Sequence, residues 1–396
     1  GPDDYRNPIL QGYYPDPSIV RVGEDYYLVN STFAYFPGLP IFHSRDLVSW
    51  TQIGNAIDRE GQFDFRNLRL SRAIFAPDLT YHQGVFYLAG TCVDCGGNFI
   101  VTATDPAGPW SDPVWLPHVG GIDPSLFFDE DGKAYILNND APEGEPLYQG
   151  HRAVWIREVD PESFAQVSEP VVAVNGGVDL SKKPVWIEGP HLYKVDGKYL
   201  LSAAEGGTGP QHSQVILTAE SPLGPFTPHP DNPVLTQRDL PEDRPEPITS
   251  VGHADFTQDG DGNWWAVFLG TRPYQGNEYN TGRETFLMPV TWENGIPRIT
   301  APGDVIPHVI DRPALPAQPD APLPLTGNFT YTDAFDEEAL PLHWLTVRIP
   351  SEDGYRLETG DLVLEKRAQG VGDPGHPSFL GRRQQHTNAE AYTEVM

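Results

Sequence analysis

The chain has 396 residues, and its 26 Lys and Arg stand against 55 Asp and Glu, a formal net charge of −29. Charge of that sign excludes a nucleic-acid binder that works by neutralising phosphates, and only six lysines leave no polybasic arm for an anionic membrane. The 39 Gly, 41 Pro and 44 aromatic residues are spread along the chain, which describes a turn-rich globular protein rather than a disordered one.

The opening Gly1-Pro2 reads as the scar of a cleaved N-terminus. No apolar run approaches the ~18–20 residues of a membrane-spanning helix. Short β-branched and aromatic runs then recur: DYYLVNSTF (25–33), VFYLAGT (85–91), KAYILNN (133–139), KYLLSAA (198–204) and NWWAVFLG (263–270). A turn containing Gly or Asp closely precedes each, as expected of hairpins. No stretch sustains a capped 3.6-residue apolar period, so helices should be few.

These runs belong to a repeat. Copies begin at Asp16, Ala76, Asp123, Glu188 and His253, and each reads as a short apolar strand, a tight turn and an aromatic return strand. A period of this length, with about four strands per unit, predicts an all-β fold in the form of a five-bladed β-propeller over residues 1–305. A β-sandwich or barrel is the alternative. The Pro-rich stretch 306–327 reads as an extended linker, and 328–396 as the start of a C-terminal β-sandwich module, too short to stand alone and apparently truncated. Cys92 and Cys95, in CVDC, are too few for a disulfide framework and lack a redox-motif context; they are expected to be free or bridged to each other.

Three of the five repeat starts are acids in apolar or Pro-bounded settings: YYPDPS (Asp16), GGIDPS (Asp123) and WIEGPH (Glu188). The first strand of each propeller blade lines the axis, so these acids should converge at one end of it. Burial and mutual repulsion would raise at least one carboxyl pKa, as a general acid requires. A single Asp-Pro-Ser is ordinary turn chemistry; the repetition at one blade position is what points to function. Paired carboxyls in an aromatic-lined funnel suggest glycoside hydrolysis, with inversion if the acids sit ~6.5–9.5 Å apart across the axis.

The segments NPILQGYYPDPSIVRVGEDYYLV, IFAPDLTY, GIDPSLFFDEDGKAYIL, EGPHLYKVDGKYLLSAAEGGT, VGHADF and GRETFLMPV resemble, in order, glycoside hydrolase family 43, in particular its β-xylosidase and α-L-arabinofuranosidase branches. The resemblance implies a five-bladed propeller with Asp16 as general base, Glu188 as general acid and Asp123 as the residue that orients the acid and tunes its pKa. It also implies substrate contacts from Phe33, from Phe75 (where many relatives carry Trp), from Arg283, and from Gln211 and His212. An ion pair with Glu284 is the structural alternative for Arg283. His253 matches an axial histidine that in many relatives lies beside a bound Ca²⁺ or its waters; no cofactor is required for the chemistry.

The segment 138–156 departs from the xylosidase pattern, with Asn139 and Asp140 and no Trp before Trp155. That favours an exo-acting enzyme releasing terminal α-L-arabinofuranose, or both arabinose and xylose, from plant-cell-wall glycans; a β-xylosidase proper is the alternative. The rivals are a non-catalytic carbohydrate-binding propeller, which has no reason to keep three axial acids, and an endo-arabinanase, which the trailing module argues against.

Overall fold

The computed structural model describes residues 1–350 and 354–396. Among them the only helical element is one 3₁₀ turn, Leu180–Lys182, and no helix is long and apolar enough to cross a membrane.

Five antiparallel sheets follow one another along the chain, each built mainly from successive strands. Blade 1 comprises Ser18–Val22, Asp25–Val29, Gly38–Ser44 and Thr51–Ile57; blade 2 comprises Asp78–His82, Val85–Val93, Gly97–Ala103 and Val114–Trp115, with Ala73–Ile74 added beside Val85–Val93. Blade 3 is Ile122–Phe128, Ala134–Asp140, Ala153–Val159 and Val171–Asn175. Blade 4 is Glu188–Val195, Lys198–Glu205, Ser213–Ala219 and Thr227–Pro228, with Leu235–Thr236 added. Blade 5 is Thr249–Gln258, Trp264–Thr271, Glu284–Glu293 and Ile296–Arg298. The five sequence repeats are thus the first two strands of the five blades. Gly23, Gly84, Gly132, Gly197 and Gly262 occupy their hairpin turns at φ between +64° and +86°, a conformation that costs glycine little and side-chain-bearing residues more.

The two-residue strand period decides how the blades pack. In blade 1, Tyr26 and Leu28 face blade 5 while Val29 faces blade 2. In blade 5, Trp265 and Val267 face blade 1 while Ala266 and Phe268 face blade 4. Every blade is apolar on both faces for this reason, and each of the five core clusters fills one seam between neighbouring blades. Each fully buried Leu, Val or Phe contributes about 1.5–3 kcal/mol of transfer free energy.

The ring closes between blades 5 and 1 without a strand exchanged between them. Asp4–Arg6 pairs with Val309–Asp311 outside the blades. Asn7 is locked to blade 5, its Oδ1 accepting from Leu287 N at 2.9 Å and its Nδ2 donating to Leu287 O at 2.8 Å. The Pro-rich stretch 306–327 runs against the propeller as a strap. Arg312 pairs with Asp46 at 3.0 Å, the backbone N–H of Arg45 donates to Gln318 at 2.8 Å, and Leu325 enters the blade 5–blade 1 core.

Beyond the strap, Tyr355–Glu358 and Asp361–Leu364 form a hairpin, and Thr346–Val347 pairs with Tyr35–Phe36 of the propeller. Arg383 donates to the Tyr13 carbonyl at 2.6 Å, with its guanidinium over the Tyr14 ring. The module therefore reaches the segment next to Asp16. Cys92 and Cys95 are bridged to each other at the turn of the blade 2 hairpin.

Candidate active site

Aligning the blades by strand register sharpens the repeat. Asp16, Ala76, Asp123 and Gly189 each precede a proline, and His253 precedes Ala254 at the same position. Four of these five residues adopt left-handed backbone: Asp16 (φ 51°), Asp123 (57°), Gly189 (58°) and His253 (53°). In blades 3, 4 and 5 the pairing register shifts just there, between Ile122 and Ser125, Glu188 and His191, and Gly252 and Asp255. The inner strand thus opens on a bulge that re-aims its first side chain. Glu188, taken from the sequence as the fourth repeat start, lies one residue earlier than that position; Gly189 is the true equivalent of Asp16 and Asp123.

Asp16 is buried and well supplied with partners. Its Oδ2 accepts from Ser31 Oγ at 2.7 Å, and its Oδ1 lies 3.0 Å from His253 Nδ1 and 3.8 Å from Arg283 Nη1. Burial works against its charge, but Arg283, His253 and Ser31 outweigh it and hold the carboxyl well below the usual carboxylate range. Asp123 is equally buried and accepts from Gly189 N at 2.9 Å. Burial and the Asp16 charge push its pKa up, although His253 opposes them. Glu188 is half-buried, and among the described residues no hydrogen bond reaches its carboxyl. Desolvation comes first and the Asp123 and Asp16 charges second in raising its pKa well above the ordinary glutamate value.

Glycine at 189 is dictated by space as well as by its φ. A Cβ there would stand 2.5 Å from the His253 ring and push it off Asp16.

The aromatic wall rises beside Asp16. Phe33, at φ 50°, is bridged to Ile74 by paired backbone hydrogen bonds, which set its ring 5.2 Å from that of Phe75. Tyr13 stacks on Phe33 at 5.9 Å, and the Arg283 guanidinium lies 5.5 Å over the Phe33 ring. Glu284 is paired with Arg272, at 2.8 Å between Nη2 and Oε1, and Arg283 instead faces Asp16 and the Phe33 ring.

Two expected contacts are placed otherwise. Gln211 is exposed on the turn before Ser213–Ala219, its backbone carbonyl against Gly206. His212 is fully buried and donates from Nδ1 to the Ser250 carbonyl at 2.9 Å. Burial lowers its pKa to about 4, so it is a neutral wall residue behind His253. His253 is buried beside Asp16. Its Nδ1 faces Asp16, and among the described residues no three His, Cys, Asp or Glu side chains converge as metal ligands.

Sequence reading missed Tyr13, Ser31, Arg152 and Trp186. Tyr13 opens the quoted YYPDPS and Trp186 the quoted WIEGPH. Ser31 and Arg152 carried no local signal, since only the fold brings them to the carboxyls.

The arrangement offers a carboxyl whose ionised form is favoured, another whose charge is disfavoured, and aromatic and guanidinium groups beside the first. That is the equipment for acid–base cleavage of a glycosidic bond. Comparison with known proteins agrees. Residues 5–297 match the model of glycosyl hydrolases family 43, and residues 332–396 match that of the β-xylosidase C-terminal concanavalin A-like domain. The chain is 43% identical over 385 residues to a xylosidase/arabinosidase of Butyrivibrio fibrisolvens, covering 96% of this chain and 72% of that protein. It is 42% identical to a non-reducing end α-L-arabinofuranosidase of Bacteroides ovatus, covering 99% and 70%. A solved GH43_12 structure retrieved from capybara gut metagenome superposes with a TM-score of 0.88 at 43% identity, covering 97% and 72%. The chain therefore belongs to glycosyl hydrolases family 43, and it is a glycosidase.

Proposed function

We propose that the protein is an exo-acting, inverting glycosidase that releases terminal α-L-arabinofuranosyl residues, and also β-D-xylosyl residues, from plant-cell-wall glycans or their oligosaccharides. The observation that carries the roles is the opposite tuning of two neighbouring carboxyls. Arg283, His253 and Ser31 favour the ionised form of Asp16, whereas burial and Asp123 disfavour the charge of Glu188.

The terminal sugar sits against Phe33 and Phe75, with Arg283 and Tyr13 donating to its hydroxyls. Water on the Asp16 side attacks the anomeric carbon and loses its proton to the Asp16 carboxylate. Glu188 delivers its proton to the glycosidic oxygen as the carbon–oxygen bond breaks on the opposite face. Asp123 fixes the electrostatics: its carboxyl disfavours ionisation of Glu188 and accepts from Gly189 N–H, next to the acid. The anomeric centre inverts. The names borne by the two relatives support arabinofuranosidase or dual activity, and the xylosidase part of the first supports β-xylosidase as the second reading.

Turnover of 4-nitrophenyl α-L-arabinofuranoside against 4-nitrophenyl β-D-xyloside ranks the two sugars. NMR of the first-formed sugar is expected to show the inverted anomer; a retained one would exclude water attack assisted by Asp16.

A further inference from the structure

Trp186 is an anomaly in its setting. It is a large apolar side chain left 40% exposed, and its backbone has φ 51°, an uncommon conformation for a bulky non-glycine residue. Such strain persists only where the surroundings impose it, and it concentrates at ligand clamps. Here the surroundings are explicit. The Trp186 N–H donates to the Gly150 carbonyl at 2.9 Å, and the Arg152 guanidinium lies 4.9 Å from the ring centroid. Arg152 is itself held by two hydrogen bonds to Asn139 Oδ1, at 2.7 and 3.1 Å. Asn139 is fully buried and donates through Nδ2 to the carbonyl of Ile187 at 2.6 Å. This chain of contacts ends on the residue immediately before the acid, Glu188. Ile187 is fully buried, while Trp186 and Glu188 on either side of it open outward.

The placement fixes the side of the reaction. Phe33, Phe75, Tyr13 and Arg283 gather at Asp16, where the terminal sugar must sit for water to reach its anomeric carbon. The leaving sugar departs on the Glu188 side, because its oxygen takes the Glu188 proton. From these positions, and resting on the functional reading above, we infer that Trp186 and Arg152 form the leaving-group platform. The ring receives the apolar face of the departing sugar, and the guanidinium hydrogen-bonds its hydroxyls. Asn139, in the segment that departs from the xylosidase pattern, positions Arg152 without touching substrate.

The test compares two substrates with the same terminal sugar. An arabino- or xylo-oligosaccharide has a sugar leaving group, whereas the matching glycosyl fluoride has none. In Trp186→Ala the ratio of kcat/KM for oligosaccharide over fluoride should fall about 10- to 100-fold, the range of one lost pocket contact, and Trp186→Phe should restore most of it. Arg152→Gln should lower the same ratio by a smaller factor, so the platform stays testable if Trp186→Ala does not fold. An unchanged ratio in these variants overturns the platform, whatever happens to absolute rates. A wild-type protein that hydrolyses neither the oligosaccharide nor the fluoride overturns the functional reading itself, and the platform with it.

Discussion

The propeller axis carries two rings of polar residues built from the same repeat, two residues apart on each inner strand. The first ring holds Asp16, Asp123 and His253, with Glu188 beside them. The second is Ser18, Asp78, Ser125, His191 and Asp255. Both rings contain buried acids and a buried histidine, so burial and composition do not tell them apart. Concavity does not either, since the second ring opens into a cavity of about 530 Å³ lined in part by Asp78, His191 and Asp255. What differs is how far the acids are satisfied. Asp255 accepts from Ser18 Oγ at 2.7 Å, Ile19 N at 2.9 Å and Phe256 N at 3.0 Å, and also from the Tyr193 hydroxyl. Asp78 accepts from Leu126 N, Thr80 Oγ1 and His191. In the first ring Asp16 is well bonded, by Ser31 and His253, but Asp123 has one donor and Glu188 none among the described residues. The second-ring acids are bonded mainly across inner strands, whereas in the first ring Asp123 and Glu188 are left short of donors beside the well-held Asp16.

The largest effect should come from breaking the first ring. Asp16→Asn and Glu188→Gln should each lower kcat on sugar leaving groups by about 10²–10⁴, the usual worth of a general base or acid. Glu188→Ala should affect a nitrophenyl glycoside less than an oligosaccharide, because the better leaving group needs less protonation. The fold should survive Glu188→Gln with an unchanged or higher Tm, since it removes a carboxyl whose charge the site disfavours. Asp255→Asn should do the reverse. It replaces an acceptor of several buried donors with a group that is partly a donor, at a cost of about 2–4 kcal/mol. Denaturant unfolding should show that loss while kcat stays within about threefold. A kcat loss for Asp255→Asn as large as for Glu188→Gln would erase the distinction between the rings.

Much of this was legible in the sequence because turn chemistry and strand alternation are local. The five Gly turns marked the blades, and Pro after Asp16 and Asp123 marked their inner strands. The offset of Glu188 is written in the sequence too, because Gly189 rather than Glu188 precedes the proline that follows Asp16 and Asp123; only the pairing of Glu188–Val195 with Lys198–Glu205 shows the bulge there. Partners from distant segments were equally hidden. His253 meets Asp16 across 237 residues, and Arg152 meets Trp186 only because Gly150 and Trp186 are bonded. Gln211 was carried over from the family with His212, but the buried turn bond of His212 to Ser250 leaves Gln211 facing solvent.

Acidity gives the next sharpening. A carboxyl with a raised pKa keeps its proton to higher pH and is lost as an acid when pH rises through that pKa. Glu188 therefore sets the alkaline limb of kcat/KM. Asp16, held low, is ionised throughout that range, so it fails as a base only far to the acid side. Asp123→Asn removes the nearest like charge from Glu188, whose proton then leaves more easily. The alkaline limb should move to lower pH, measured as kcat/KM across a pH series. Asp78→Asn, in the second ring, should leave that limb in place, and a shift of similar size would show that the rings titrate as one.

The smallest and sharpest comparison uses one bond of the same kind in each ring. Ser31 Oγ donates to Asp16 at 2.7 Å, and Ser18 Oγ donates to Asp255 at 2.7 Å, both buried. Each Ser→Ala change deletes one hydroxyl-to-carboxylate bond, worth about 1.5–3 kcal/mol to a charged acceptor. Ser18 also accepts from Leu79 N at 2.9 Å, so Ser18→Ala strands a backbone donor between blades 1 and 2 as well. Its loss should appear in unfolding free energy, with the pH profile unmoved. Ser31→Ala removes a group that favours the ionised form of Asp16, so the Asp16 pKa rises and the acid limb of kcat/KM moves upward in pH. Its unfolding cost should be smaller, because Arg283 and His253 still face the same carboxylate. If both variants alter stability alone, Ser31 is scaffold, and the acid limb belongs to a group other than Asp16.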